Sequence, residues 1–198
     1  MASDAPALPP SDEDLVRKTL EGNTRAYDEL VRRHSRKLHA MLLQMVGSEA
    51  DAYDIAQDSF LKAFHSLRYF NGRSAFYTWL YSIAANQARN FIRKRKRENT
   101  TSIDNDENGD RLEKDSDLAD NGLTSDPVRR AHLTDLRRKL IAALDQLSPA
   151  HREVVTMCDI HGLSYPEISR ILNISEGTLR SRLHYAHRLL QGILADER

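Results

Sequence analysis

Apolar side chains recur at helical spacing in two blocks of this chain, separated by a stretch that has almost none. In the first block a short helix is predicted from Asp12 to Glu21, entered at Ser11 and stopped at Gly22. Tyr27, Leu30, Val31, His34, Leu38, Met41, Leu42 and Met45 then follow one helical face over about five turns, and Gly47 closes the run. A third run sets Tyr53, Ala56, Phe60, Phe64 and Leu67 on one face and Asp54, Gln57, Asp58 and Lys62 on the other. A fourth places Phe76, Trp79, Leu80, Ile83, Gln87 and Phe91 inward and finishes in Arg93-Lys94-Arg95-Lys96-Arg97.

The second block is punctuated more sharply. Leu133, Leu136, Leu140, Leu144 and Leu147 form a stripe closed by Ser148-Pro149, and Pro149 suits the first position of a following helix, where no N–H is needed. That helix carries Val154, Val155, Cys158 and Ile160 and stops near Gly162. Ser164 with Glu167 then makes a capping box, and Leu163 with Ile168 a hydrophobic staple. Ser175 caps the next helix, with Ile174 and Leu179 as its staple, so Asn173-Ile174-Ser175 is a tight turn between two helices. Two capped helices joined in this way are a helix-turn-helix. The predicted class is all-α: two small helical domains, residues 11–97 and 132–194, joined by a flexible linker over 98–131.

Charge sharpens that division. The 198 residues carry 29 basic and 29 acidic side chains, and the zero net charge hides a partition. Residues 1–97 hold 16 basic and 11 acidic groups, whereas 98–131 hold 4 and 10. The middle stretch is rich in Asp, Asn, Glu and Ser and lacks the apolar surface needed to offset chain entropy, hence its reading as an acidic linker. Within it Asp104, Asp106, Asn108, Gly109 and Asp115 match positions of a calcium-binding loop. Arg111 at the eighth position and the preceding Thr100-Thr101-Ser102 do not fit that loop, so a solvated linker is the better reading.

Other classes recede for similar reasons. No apolar run approaches the roughly 18 residues of a membrane span, and the start lacks the basic and apolar regions of a secretory leader, so a cytoplasmic protein is expected. The single cysteine, Cys158, excludes an internal disulfide framework. There is no glycine-rich phosphate loop, and His184 with His187 lacks a third ligand. No enzyme activity, cofactor or metal is therefore expected.

Two surfaces are suited to nucleic acid. The second helix of the helix-turn-helix presents Thr178, Arg180, Ser181, Arg182, His184 and Tyr185 near its N-terminus, opposite Leu179, Leu183, Ala186, Leu190 and Ile193. In this motif that end reads base edges in the major groove, where Arg is the commonest reader of guanine. In the first block, seven aromatic residues fall between Phe64 and Tyr81, beside Asn71, Arg73, Asn86, Arg89 and the basic run. Aromatic faces next to cations suit single-stranded nucleic acid.

These residues carry a resemblance. Asp54-Ile55-Ala56-Gln57-Asp58-Ser59-Phe60, Ser74-Ala75-Phe76-Tyr77-Thr78-Trp79-Leu80 and Ala84-Ala85-Asn86 resemble domain two of bacterial RNA polymerase sigma factors of the extracytoplasmic-function group. Leu147-Ser148-Pro149, Gly162-Leu163-Ser164-Tyr165, Glu167-Ile168 and Gly177-Thr178-Leu179-Arg180-Ser181-Arg182-Leu183 resemble domain four, and sigma-E-like members are the most similar. The resemblance implies a non-enzymatic subunit that lends promoter specificity to core RNA polymerase. It implies that Asp54, Ile55, Gln57 and Asp58 bind the polymerase. It implies that Phe70, Asn71, Arg73, Ser74, Asn86, Arg93, Lys94 and Arg95 hold the melted minus-ten element. It assigns the minus-thirty-five duplex to Thr178, Arg180, Ser181, Arg182, His184 and Tyr185. It also implies an anti-sigma factor that clamps both domains and can hold the protein at the inner membrane. The competing reading is a stand-alone helix-turn-helix regulator, which would leave the aromatic and basic cluster unused.

Overall fold

The computed structural model describes residues 9–101, 139 and 142–196, and within them every regular element is helical. Helix α1 (Asp12–Leu20) is capped by Ser11, whose Oγ accepts the Asp14 N–H at 3.1 Å. Helix α2 (Thr24–Val46) ends where Gly47 takes φ 78°, its N–H donating to the Leu43 carbonyl at 2.8 Å. A left-handed cap of this kind favours glycine, because any Cβ would crowd the backbone there. Helix α3 (Glu49–Ser66) runs into a 3₁₀ turn, Leu67–Tyr69. A short loop then leads to α4 (Phe76–Thr101), which extends past the basic run and takes Glu98, the first expected linker residue, into the helix.

The first four helices share one core. Leu30, Leu38, Met41 and Leu42 of α2 are fully buried, together with Ala52 and Ala63 of α3 and Phe76 and Leu80 of α4. Within it Tyr27 Oη donates to the Phe60 carbonyl at 2.6 Å. Gln87 Nε2 donates to Ser59 Oγ at 2.9 Å, and Ser59 in turn donates to the Ile55 carbonyl. The α3 face differs from the predicted one. Ala52, Ile55, Ala56, Ser59, Phe60 and Ala63 point inward, whereas Tyr53 is 57% exposed and Phe64 is 39% exposed. Ala52 and Ile55 occupy the stripe that the aromatic spacing had assigned to Tyr53.

Leu144 and Leu147 are buried as expected, while Leu133, Leu136 and Leu140 and the calcium-loop positions lie outside the described residues. Arg152 holds the end of the helical segment 142–145, its Nε on the Leu144 carbonyl at 2.9 Å and its Nη2 on that of Asp145 at 2.8 Å. Helix α5 (Pro149–Val155) starts at the Ser148 cap and continues as one π-helical turn, Thr156–Ile160, released by Gly162 at φ 64°. Helix α6 (Tyr165–Leu172) has the predicted Ser164–Glu167 capping box, with Glu167 accepting the Ser164 N–H at 2.8 Å. Asn173 takes the left-handed conformation, φ 53°, and closes α6; Ser175 opens α7 (Glu176–Asp196) by accepting the Thr178 N–H at 3.1 Å. Val154, Met157, Ile168, Ile171, Leu179 and Ala186 fill the core of this three-helix unit.

The two units pack together. Helix α6 lies along α4, and α2 meets α5 and the π turn. Arg89 Nε donates to Glu153 Oε1 at 2.9 Å across this boundary, and Tyr77 Oη donates to Glu167.

Candidate nucleic-acid interface

The tight turn aims the start of α7 outward. Thr178, Arg180, Ser181, His184 and Tyr185 are all exposed, and together they make one continuous face over the first three turns. Thr178 Oγ1 lies 2.9 Å from Ser175 Oγ, so its hydroxyl is tied to the cap. The Arg180 guanidinium sits 3.2 Å from Glu176 Oε2 and 5.9 Å from the centroid of the Tyr165 ring. Both contacts hold the arginine near the helix start, where unpaired N–H groups and the helix dipole attract phosphate. Arg182 does not join this face. It is half-buried and close enough to Glu153 to favour that carboxylate, which corrects its expected DNA-facing position. The reason is angular: Arg182 lies about 200° around α7 from Arg180, on the other flank of the buried stripe formed by Leu179, Leu183 and Ala186.

The second surface is built around the loop before α4. Phe70 is half-buried, its ring edge-on to Phe76 at 6.0 Å and 5.2 Å from Trp79. Asn71 Oδ1 accepts the Arg73 N–H at 3.1 Å, and Gly72 takes φ 69°, so the chain reverses tightly with Asn71 and Arg73 exposed and Ser74 partly so. From Trp79 a half-exposed stripe follows α4 through Ser82, Ile83 and Asn86 to Asn90 and Arg93. These positions are three or four residues apart, so they share a side of the helix. Phe70, the loop and Asn86 therefore belong to one surface. Arg93 prolongs it, reaching Asn90 Oδ1 at 3.4 Å, whereas Lys94 and Arg95 are exposed on other sides of the helix, Arg95 lying 3.7 Å from Asp51 of α3. The aromatic cluster itself divides: Tyr69 is 68% exposed, Tyr77 bonds Glu167, and Tyr81 is buried, which pushes its phenol up to about 12.

A third surface lies on α3. Asp54, Gln57 and Asp58 are exposed at helical spacing, and Leu61, 59% exposed, extends the same side beside Tyr53. Ile55, which sequence reasoning grouped with them, is 7% exposed and belongs to the core. Leu61 was missed, although its position three residues after Asp58 and four after Gln57 was the available signal. Among the described residues no group of three His, Cys, Asp or Glu side chains could hold a metal ion, and His187 Nε2 instead meets Asp159 at 2.7 Å.

A helical unit with an aromatic, amide-bearing loop, followed by a helix-turn-helix with a basic outer face, defines a promoter-reading transcription initiation factor. Comparison with known proteins assigns both units: residues 30–98 match sigma-70 region 2 and residues 137–190 match sigma-70 region 4. The chain is 33% identical over 183 residues to the RNA polymerase sigma-H factor of Pseudomonas aeruginosa, covering 92% of this chain and 93% of that protein. It is 32% identical over 176 residues to the ECF RNA polymerase sigma-E factor of Escherichia coli K12, covering 89% and 90%. Among solved structures, CnrH in complex with the cytosolic domain of CnrY superposes with a TM-score of 0.68 at 26% identity, over 96% of this chain and all of that one. The sigma factor RpoE of Bartonella quintana, solved with the anti-sigma factor NepR, shares the fold at a TM-score of 0.66 and 23% identity, over 87% of this chain and 98% of its own.

The chain belongs to the extracytoplasmic-function sigma factors of bacterial RNA polymerase. It is a non-enzymatic initiation subunit that brings promoter specificity to the core enzyme.

Proposed function

We propose that the two domains divide the promoter between them. Residues 132–194 read the minus-thirty-five duplex through Thr178, Arg180, Ser181, His184 and Tyr185. Residues 11–97 bind core polymerase through the α3 face and hold the opened minus-ten strand. The observation that carries this reading is the single surface formed by Phe70, the Asn71–Ser74 loop, Trp79 and Asn86. An unstacked base loses a few kcal/mol unless something replaces its neighbours. An aromatic face returns about 1–3 kcal/mol per base. Phe70 and Trp79 supply that face, the Asn86 amide can both donate to and accept from a base edge, and Arg93, Lys94 and Arg95 neutralise the flanking phosphates.

The protein works in the cytoplasm with the core polymerase that its sigma-factor relatives serve. A protein regulator of the anti-sigma kind is its further partner. CnrH was captured with the cytosolic domain of CnrY, which supports a protein partner for this architecture. If that regulator is itself membrane-bound, it holds the protein at the inner membrane.

The test is strand opening. Phe70→Ala with Asn86→Ala is expected to keep binding to core polymerase and to closed promoter duplex. It should lose permanganate reactivity of unpaired thymines in the minus-ten region, and a pre-melted template should restore part of its transcription. Normal permanganate reactivity would move the strand-holding site elsewhere. A chain that binds promoter duplex alone and never drives run-off transcription with core polymerase would be a stand-alone regulator.

A further inference from the structure

The exposed start of α7 carries an acid beside the arginine assigned to DNA. Arg180 Nη2 lies 3.2 Å from Glu176 Oε2, and the two side chains are 65% and 44% exposed. The Tyr165 ring of α6, its centroid 5.9 Å from the guanidinium carbon, gives the arginine a second support from a different helix. A guanidinium has five N–H donors and a carboxylate about four acceptor sites, so this one contact leaves both groups able to bond a further partner. A carboxylate alone would repel the phosphate backbone. Paired with Arg180 it adds no net charge to the face.

Gly177, the next residue, is exposed and stands three, four and seven positions before Arg180, Ser181 and His184, so it lies on their side of α7. A methyl group there would meet only Ser175 Oγ, at 3.8 Å, which is ordinary contact. Packing within the protein therefore does not call for glycine, which is also a poor helix former. The missing side chain lets an outside surface come close to the first turn, within reach of Glu176.

The major-groove edge of a G·C pair presents, in order, guanine N7 and O6 as acceptors and cytosine N4–H as a donor. O6 and N4 bond each other across the pair and lie about 2.9 Å apart. An Arg180 donor and a Glu176 acceptor 3.2 Å apart match that spacing with opposite polarity. Order then matters. A T·A pair keeps the central acceptor and donor in the same order, as thymine O4 and adenine N6. C·G and A·T reverse it and set an acceptor oxygen, guanine O6 or thymine O4, before the carboxylate.

We infer that Glu176 and Arg180 read one G·C pair of the minus-thirty-five duplex as a unit, Arg180 donating to guanine N7 and O6 and Glu176 accepting from cytosine N4. Glu176 is thus a specificity-determining residue that fixes the orientation of the pair. The inference deepens the reading of the minus-thirty-five duplex proposed above and rests on it.

The experiment assembles the full chain with core polymerase and titrates it onto promoter duplexes carrying all four base pairs at each minus-thirty-five position in turn. Arg180→Ala locates the pair, as the position where discrimination falls. There the unaltered protein should bind G·C at least fivefold more tightly than any other pair. Glu176→Ala should cut the preference over C·G and A·T at least threefold and leave the preference over T·A within twofold of its starting value. Glu176→Gln, whose amide also offers donors to an oxygen, should do the same with the side-chain shape retained. If Glu176→Ala loses helicity by circular dichroism, Glu176→Gln alone decides. An equal change at all four pairs makes Glu176–Arg180 an ordinary surface ion pair and overturns the inference. So does a loss confined to a different position, or a preference at the located position for any pair other than G·C. Arg180→Ala without effect at any single position removes the Arg180 base contact itself, and the inference with it.

Discussion

Arg180 and Arg182 stand two positions apart on α7 and meet opposite surroundings. Arg180 is exposed and held by Glu176, whereas Arg182 is half-buried near Glu153. If Arg180 reads a guanine, Arg180→Ala should cost about 1–3 kcal/mol of promoter affinity and relax preference at one base pair. Binding titrations over single-base variants of the minus-thirty-five element check this. A uniform loss with a shallower salt dependence would make Arg180 a phosphate contact instead. The Arg180 side of the helix was legible because Leu179, Leu183 and Ala186 mark the buried side so clearly. Arg182 was not, since the carboxylate it faces comes from another helix. Ile55 teaches the same lesson within a motif: its neighbours Asp54, Gln57 and Asp58 are exposed, yet it is buried among Ala52, Ala56 and Phe60.

At the scale of one element, α3 has an inner side that builds the domain and an outer side available to a partner. Ile55→Ala should lower folding stability by about 2–5 kcal/mol, the usual result of emptying a packed site. Leu61→Ser, at an exposed position, should leave stability within about 0.5 kcal/mol yet weaken binding to core polymerase. Asp54→Lys with Gln57→Ala should weaken that binding by about tenfold, roughly 1.4 kcal/mol, with helicity unchanged. Urea titration and polymerase pull-down separate the two effects; equal losses of both in Leu61→Ser would remove the outer side as an interface. Helix ends were the most legible elements. Ser11, Gly47, Ser148, Ser164 with Glu167, Asn173 and Ser175 act within a few residues of themselves, so their chemistry is written locally. The inward side of α3 was less so, because Tyr53 and Phe64 fit an apolar spacing that alanines and Ile55 actually fill.

The whole molecule depends on contacts that no local pattern announces. Tyr77 and Glu167 are 90 residues apart, and Arg89 and Glu153 are 64 apart. Each residue also has a plausible solvent-facing role, so the joining of the domains could not be inferred from spacing. His161, released by the π turn, belongs to the same region: burial, with repulsion from Lys37 of α2, holds its imidazole below the ordinary value of 6.5. Its Nε2 is buried without a hydrogen-bond partner. The unfolded chain therefore binds the His161 proton more readily than the folded one, and stability rises with pH through that window. The contribution is intact above 6.5 and lost as pH falls below it. The urea midpoint should accordingly be lower at about pH 5.5 than at about pH 7.5, and His161→Leu should remove part of that difference. An identical pH slope in the variant would assign the effect to other groups.

The chain has one tryptophan, Trp79, half-buried against Phe70 at the head of the strand-holding surface. All of its indole emission therefore originates beside the loop where, on the proposed reading, an extruded base would stack. The protein carries an intrinsic optical reporter of bubble capture, one that needs no dye and leaves every surface residue in place.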